Sequence, residues 1–252
     1  MYYRDQMERE VWIEKIPKRI ISLVPSQTEL LLDLGLEDRL VGVTKFCIHP
    51  SRIKQEKKII GGTKQFRFDV IKELRPDLII GNKEENYKEG IERLAKDYPV
   101  WMSDVFKLED ALEMIREVGL ITGKEQEAYI IAKNLTEKFK QTFPQRGTAV
   151  YLIWQDPIMV AGKNTFINDM MGKAGFKNPI EEERYPSISL KELISLDPDY
   201  VLLSSEPFPF KEKHMGFYRT AIPRARVKLV DGEMFSWYGT RLLQAPEYFK
   251  SI

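Results

Sequence analysis

Short apolar runs alternate with segments of helical period along most of the chain. Ile20–Val24 is a β-branched run bounded by polar residues, which predicts a buried strand. Ser26 with Glu29 has the spacing of a capping box ahead of Leu30, Leu31 and Leu34, and Gly35 suits a helix-ending C′ position. Strand, turn and helix within sixteen residues make the first half of a βαβ unit. The alternation continues with strands at Leu40–Thr44 and Lys58–Ile60, a helix at Phe68–Leu74 and a strand at Asp77–Gly81. A helix at Asn86–Lys96, a strand at Val100–Ser103 and a helix at Leu108–Ile121 follow. This order predicts a parallel sheet with helices on both faces.

Residues Lys124–Phe143 break the alternation. Ala128, Ile131, Ala132, Leu135 and Phe139 fall on one helical face, with Glu125, Glu127, Lys133, Glu137 and Lys138 elsewhere. One amphipathic helix of about 30 Å is expected, at about 1.5 Å per residue. Beyond Pro144 and Gly147 a second α/β region begins with a strand at Thr148–Trp154. It continues with helices Thr165–Ala174 and Leu190–Leu196, strands Tyr200–Ser204 and Val227–Val230, and a terminal helix Arg241–Phe249. The expected organisation is an N-terminal lobe over 1–122, a connecting helix over 123–144 and a C-terminal lobe over 145–252.

The two regions share a local signature. Ile71-Lys72-Glu73-Leu74-Arg75-Pro76-Asp77-Leu78-Ile79-Ile80 matches Leu193-Ile194-Ser195-Leu196-Asp197-Pro198-Asp199-Tyr200-Val201-Leu202 in pattern, as helix end, Pro-Asp turn and buried strand. Two like lobes leave a cleft where a ligand can bind. A stiff helical connector predicts a modest closing motion rather than a wide swing.

Composition narrows the function. At 252 residues the chain can bury a large core, and 43% hydrophobic with 31% charged residues is ordinary for a folded soluble protein. A net charge of +1 argues against a nucleic-acid partner. One cysteine, Cys47, excludes an intramolecular disulfide. The first eighteen residues lack the basic and apolar blocks of a secretory leader, so the reading leaves two locations open. These are the cytoplasm, or the periplasm or cell surface after a leader is removed.

No phosphate loop, nucleophile elbow or paired-histidine metal motif occurs. Gly61-Gly62-Thr63 reads either as a tight turn or as an anion cradle. Cys47 and His49 stand two residues apart and can face one side, as weak metal candidates or as a buried thiol beside a surface histidine. Aromatic residues gather after predicted strands: Phe46, Phe66, Phe68, Trp101 and Trp154, then Phe208, Phe210, Phe235, Trp237 and Tyr238. Ligands of open α/β sheets bind beyond the carboxyl ends of strands, so an aromatic cleft suits a flat or bulky organic ligand. Several of these rings fit equally as core, Trp101 first. Arg67 and Arg241 are candidate partners for anionic groups. The runs Lys83-Glu84-Glu85 and Glu181-Glu182-Glu183 read as solvated faces.

Arg19–Gly35 (RIISLVPSQTELLLDLG), Leu40-Val41-Gly42-Val43-Thr44 and Leu74-Arg75-Pro76-Asp77-Leu78-Ile79-Ile80 together resemble the helical-backbone metal-chelate receptors. These are the substrate-binding proteins of ABC importers for cobalamin, ferric siderophores and haem, and Asp5–Lys18 is similar to that family's opening strands. The resemblance covers nearly the whole chain. It implies two Rossmann-like α/β lobes with mostly parallel sheets joined by one long helix, the class III periplasmic-binding-protein fold. Among members, the cobalamin-binding proteins look closest. By motif position Phe46 matches a pocket tyrosine and Trp154 a pocket phenylalanine, while Lys64 and Asn82 replace two pocket tryptophans. Phe235, Trp237, Tyr238 and Arg241 match the last pocket loop approximately. The resemblance also implies docking to a permease through one acidic residue per lobe. Asp69 stands at the first position, and Lys191 stands where a glutamate is expected.

The sequence therefore predicts a monomeric, non-catalytic binding protein with no intrinsic cofactor. Its expected ligand is a corrinoid, with a ferric siderophore or haem as the alternative, and its expected partner is an ABC permease dimer. An enzyme acting on a corrinoid-like substrate is the alternative of another class, with Asp104, Asp156 and His49 as its thin acid-base set.

Overall fold

The computed structural model of the chain describes residues 1–252. The chain divides into two compact units. Unit 1 takes residues 1–105, 109–134 and 238–240; unit 2 takes 106–108, 135–237 and 241–252. No helix is long and apolar enough to cross a membrane.

Unit 1 opens with an antiparallel hairpin, β1 (Tyr2–Arg4) and β2 (Glu10–Trp12). Its main sheet contains β3 (Ile20–Ser22), β4 (Leu40–Val43) and β5 (Lys58–Ile59). A small antiparallel pair, β6 (Gly61–Gly62) and β7 (Gln65–Phe66), precedes the last two strands of the sheet, β8 (Leu78–Asn82) and β9 (Val100–Ser103). The spatial order is β5-β4-β3-β8-β9, and every pairing is parallel. All residues of β3, β8 and β9 are buried. Burial on both faces explains why they read as unbroken apolar runs rather than alternating ones.

The helices of unit 1 include α1 (Pro25–Asp33), α2 (Ile53–Glu56), α3 (Phe68–Leu74) and α4 (Lys88–Leu94). The expected capping box at Ser26 does not form. Val24 is the N-cap, Pro25 occupies the first helical turn, and no side chain caps α1. Proline's fixed φ starts the helix two residues earlier than the serine pattern suggests. Gly35, with φ +72°, takes up the left-handed residue that ends α1, as expected.

Next come α5 (Leu108–Thr122) and α6 (Glu125–Lys138). They approach closely where Gly119 faces Ala128: a Cβ added at Gly119 would lie 2.3 Å from that of Ala128. The helix expected over 124–143 ends at Lys138. Its residues up to Asn134 belong to unit 1, and those from Leu135 belong to unit 2.

Unit 2 is built on β10 (Gly147–Trp154), β11 (Ile158–Val160), β12 (Phe176–Lys177), β13 (Ser187–Ile188), β14 (Tyr200–Ser204) and β15 (Arg226–Val230). The order is β13-β11-β10-β14-β15, with β12 also pairing β10. β14 lies parallel to β10 and to β15, whereas β11 runs antiparallel to both β10 and β13. The sheet is thus mixed. The helices are α7 (Phe166–Lys173), α8 (Leu190–Ser195), α9 (Glu212–Ala221), α10 (Glu233–Ser236) and α11 (Ala245–Ser251). Thr165 caps α7 by accepting the amide of Asn168, and Ser189 with Glu192 makes a full capping box on α8. The terminal helix expected over 241–249 is instead a 3-10 turn over Thr240–Leu243 followed by α11. Pro246 lacks the amide that a continuous helix needs there.

The repeated sequence signature is a repeated structure. Arg75 and Asp197 both adopt left-handed backbone, at φ 44° and 41°. The aspartates two residues on each accept a backbone amide at the strand that the next strand pairs with: Asp77 that of Arg19, immediately before β3, and Asp199 that of Thr148 in β10.

Candidate functional site

The candidate residues lie in two groups, one in each unit. In unit 1, Phe46 follows β4 and is 49% exposed. The Lys45 ammonium stands 5.0 Å from its ring centroid, and the ring packs closely over Gly62.

The turn after β8 gathers several further residues. Asn82 is buried; its side-chain oxygen accepts the amides of Glu84 and Glu85, and its amide group donates to the Ser103 hydroxyl at 3.0 Å. Asn86 donates to the carbonyls of Leu23 and Thr63. Lys64 donates to the Glu84 carbonyl at 2.7 Å, and Tyr238 donates to the Glu85 carboxylate at 2.6 Å. Asn82, expected to meet a ligand, instead spends its amide on holding this turn. Glu84 and Glu85 are half-buried parts of the turn rather than a solvated face. Burial, followed by the Glu85 carboxylate, holds the Tyr238 hydroxyl well above its usual range and keeps it a donor. Residues 238–240 are anchored in unit 1 by this bond and by the hydroxyl of Thr240 on Asp33.

Arg67 and Asp69 are both exposed and lie 3.8 Å apart, too loose for either to be fixed by the other. Cys47 is a buried thiol, 3.1 Å from the Thr28 hydroxyl and 3.4 Å from that of Thr44. Burial raises its pKa, against weaker lowering by those hydroxyls, so it stays protonated and closed to a metal. His49 is half-exposed, and no cluster of metal-ligating side chains exists in the chain. Trp101 is fully buried core.

In unit 2, Trp154 ends β10 and is 39% exposed. Its indole N–H donates to the Asp156 carbonyl at 3.1 Å, and Phe208 meets the ring edge-on at 5.5 Å. These two contacts fix the ring while leaving surface open.

The 235–241 segment behaves differently from expectation. Phe235 has no exposed surface and packs against Tyr151, Tyr248 and Phe249, so it is core and not a ligand contact. Its burial contributes about 2–3 kcal/mol. Trp237 is nearly closed, with its indole N–H on Glu206 at 2.8 Å and the Arg241 guanidinium 5.3 Å from its ring centroid. Arg241 is paired with Glu233 at 3.2 Å, both largely out of solvent. It is a satisfied partner of Trp237 and Glu233 rather than a free cation.

Asp69 and Lys191 occupy the second positions of α3 and α8. Lys191 is exposed, and Glu192 beside it is committed to the cap of α8. Of the enzyme candidates, Asp104 is paired with Lys83 in unit 1, and Asp156 is exposed in unit 2.

Sequence reasoning missed Glu206, Glu233, Asn86 and Ser103. Glu206, Asn86 and Ser103 work through partners more than twenty residues away and Glu233 through Arg241 eight residues on, and none carries a local motif.

The periplasmic binding protein family model matches residues 20–216. An uncharacterised ABC transporter substrate-binding lipoprotein of Bacillus subtilis is 29% identical, covering 96% of this chain and 82% of its own. The vitamin B12-binding protein of Vibrio parahaemolyticus is 26% identical over 93% of this chain and 90% of its own. Among solved structures, a periplasmic heme-binding protein of Pseudomonas aeruginosa superposes with a TM-score of 0.79 at 24% identity, covering 93% and 92% of the two chains. The vitamin B12-binding protein of Vibrio cholerae gives 0.78 at 20% identity, covering 94% and 98%. These solved structures show the fold, which agrees with the class III architecture expected from the sequence. Members of the family bind a solute for transport and do not transform it, so this chain is not an enzyme. With the family pattern spanning most of its length and both α/β units in place, the chain belongs to the periplasmic binding protein family.

Proposed function

We propose that this protein is the substrate-binding component of an ABC importer and that its ligand is a metal chelate, a corrinoid first. The observation that carries this reading is the pair of open aromatic rings at strand ends. Phe46 follows β4, and Trp154 ends β10. Both lie past carboxyl ends of strands, where α/β sheets place ligands. A flat macrocycle offers each ring a large apolar face. The ring of Trp154, already held by Asp156 and Phe208, loses little freedom on binding. Lys45, Lys64 and Arg67 suit polar or anionic groups at the ligand's periphery. The closed Cys47 thiol supports a chelate that arrives with its metal already coordinated. The relatives named for vitamin B12 support the corrinoid.

Haem or a ferric siderophore is the second reading, favoured by the cationic residues near Phe46 and by the heme-binding structural neighbour. The permease partner is proposed to meet Asp69 on α3 and Lys191 on α8. The opposite signs of these residues call for a partner surface of mixed charge rather than two basic patches. The test is a melting-temperature screen with cyanocobalamin, haemin and a ferric siderophore. A ligand that binds the folded state raises the midpoint with its concentration. The expected result is a rise with cyanocobalamin. A rise with haemin alone moves the assignment to haem, and no rise with any of the three removes the chelate reading.

A further inference from the structure

Arg93, in the last turn of α4, stands over a ring of α3: its guanidinium carbon is 3.9 Å from the ring centroid of Phe68. The ring beneath it is itself held. Phe66 meets Phe68 edge-on at 6.2 Å and packs on Tyr87 at 4.8 Å. Gly90 leaves the space that the Tyr87 ring fills, since a Cβ there would lie 2.2 Å from the ring. Tyr87, Phe66, Phe68 and Arg93 thus make one column joining α3 to α4, with an exposed cation at its end. Within unit 1 this cation has no acid. Asp69, next to Phe68, lies 3.8 Å from Arg67, and Glu92 lies 3.7 Å from Lys88. Glu89 and Asp97, four residues to either side of Arg93, make no ion pair with it, and no acceptor in the chain takes its guanidinium N–H groups.

We propose that Arg93, held on Phe68, is a docking cation that receives an aspartate or glutamate side chain of the permease beside the Asp69 contact. The inference rests on the importer reading above and names a partner group for it. Asp69 calls for a basic group on the partner, and Arg93 calls for an acidic one. The docking face of unit 1 is therefore complementary to an acid and a base side by side, not to a basic patch alone.

The guanidinium fork matches a carboxylate with two parallel hydrogen bonds, and a cation already stacked on a ring loses little side-chain freedom on docking. A purely local role would rest on other properties. In the last turn of α4 any cation faces the partial negative charge of the helix end, and lysine serves there as well as arginine. The apolar stem on Phe68 is kept by methionine. Neither replacement supplies a charged planar fork, so substitution separates docking from local packing.

The test measures binding of the full chain to the cognate permease, reconstituted with its ATPase in liposomes, at several salt concentrations. Wild type, Arg93→Met and Arg93→Lys are compared, and the cyanocobalamin affinity and melting temperature of each are measured in parallel. The wild type is expected to dock, more weakly as salt rises. Arg93→Met is expected to dock about tenfold more weakly, with a flatter salt dependence. Arg93→Lys keeps the charge without the fork and is expected to recover part of that loss. Cyanocobalamin affinity and melting temperature are expected to stay at wild-type values in both variants. Docking of Arg93→Met at wild-type strength overturns the proposal and leaves the importer reading standing. So does a loss of cyanocobalamin affinity in Arg93→Met, which would make Arg93 a ligand contact. Failure of the wild type itself to dock overturns the importer reading, and this proposal with it.

Discussion

The carboxylate of Asp199 accepts the backbone amide of Thr148 at 2.7 Å, and in the other unit Asp77 holds the amide of Arg19 at the same distance. Each aspartate precedes a strand and holds an amide within, or immediately before, the strand that pairs with it, so one Pro-Asp device recurs at both strand pairs. The Thr148 amide, then its hydroxyl, lowers the pKa of Asp199. An acid with a depressed folded pKa stabilises above its unfolded value, and that stabilisation is lost as pH falls through the folded one. Asp199→Asn is expected to lower the urea midpoint at neutral pH and to flatten its fall on acidification. Because Asp199 is exposed, the change is small. Equal acid limbs for wild type and variant would remove this role.

Cys47 makes a sharper prediction. The thiol is buried against Thr28 and Thr44, and burial keeps it protonated. A thiol-reactive chromogenic disulfide is expected to leave the native protein unlabelled at neutral pH and to label it fully in denaturant. Prompt labelling of the native protein would show that the thiol is open.

Gly119 sets two effects against each other. Alanine there gains about 1 kcal/mol of helix propensity. Its Cβ, however, would lie 2.3 Å from Ala128 Cβ and 2.9 Å from the Lys124 carbonyl oxygen. Neither neighbour can rotate away, and overpacking of this kind costs about 1–3 kcal/mol. Gly119→Ala is therefore expected to destabilise on balance, and adding Ala128→Gly to recover part of the loss. Chemical denaturation of the single and double variants gives both numbers; a stabilised Gly119→Ala contradicts the close crossing.

The repeat was legible because it is local. A left-handed residue, a proline and an aspartate lie within three positions, and their consequence is the next strand. Strands such as Val100–Ser103 were legible for the same reason, since burial on both faces leaves an uninterrupted apolar run. The start of α1 is not legible in the same way: Ser26 and Glu29 fit a cap, while Pro25 fixes an earlier start. Helix α9 went unassigned although Met215, Tyr218 and Ile222 are spaced for one buried face, because the Phe-Pro-rich stretch before it gives no start signal. The aromatics and arginine of the 235–241 segment have the composition of ligand contacts in the sequence. Their partners, Glu206 for Trp237, Glu85 for Tyr238 and Glu233 for Arg241, belong to other loops or to a different turn of the chain. Sequence spacing says nothing about such pairings. Phe46 and Trp154 were legible as candidates but not separable from core rings, since exposure is a tertiary property.

Calorimetric titration of cyanocobalamin into the wild-type protein, Phe46→Ala and Trp154→Ala tests the central claim most directly. The wild type is expected to bind saturably. Each truncation removes a large aromatic face from the ligand and is expected to weaken binding by about tenfold or more, with the melting temperature of the free protein changed less by Phe46→Ala than by Trp154→Ala, whose ring also packs on Phe208. Saturable binding that neither substitution weakens, or no binding by the wild type, would contradict it.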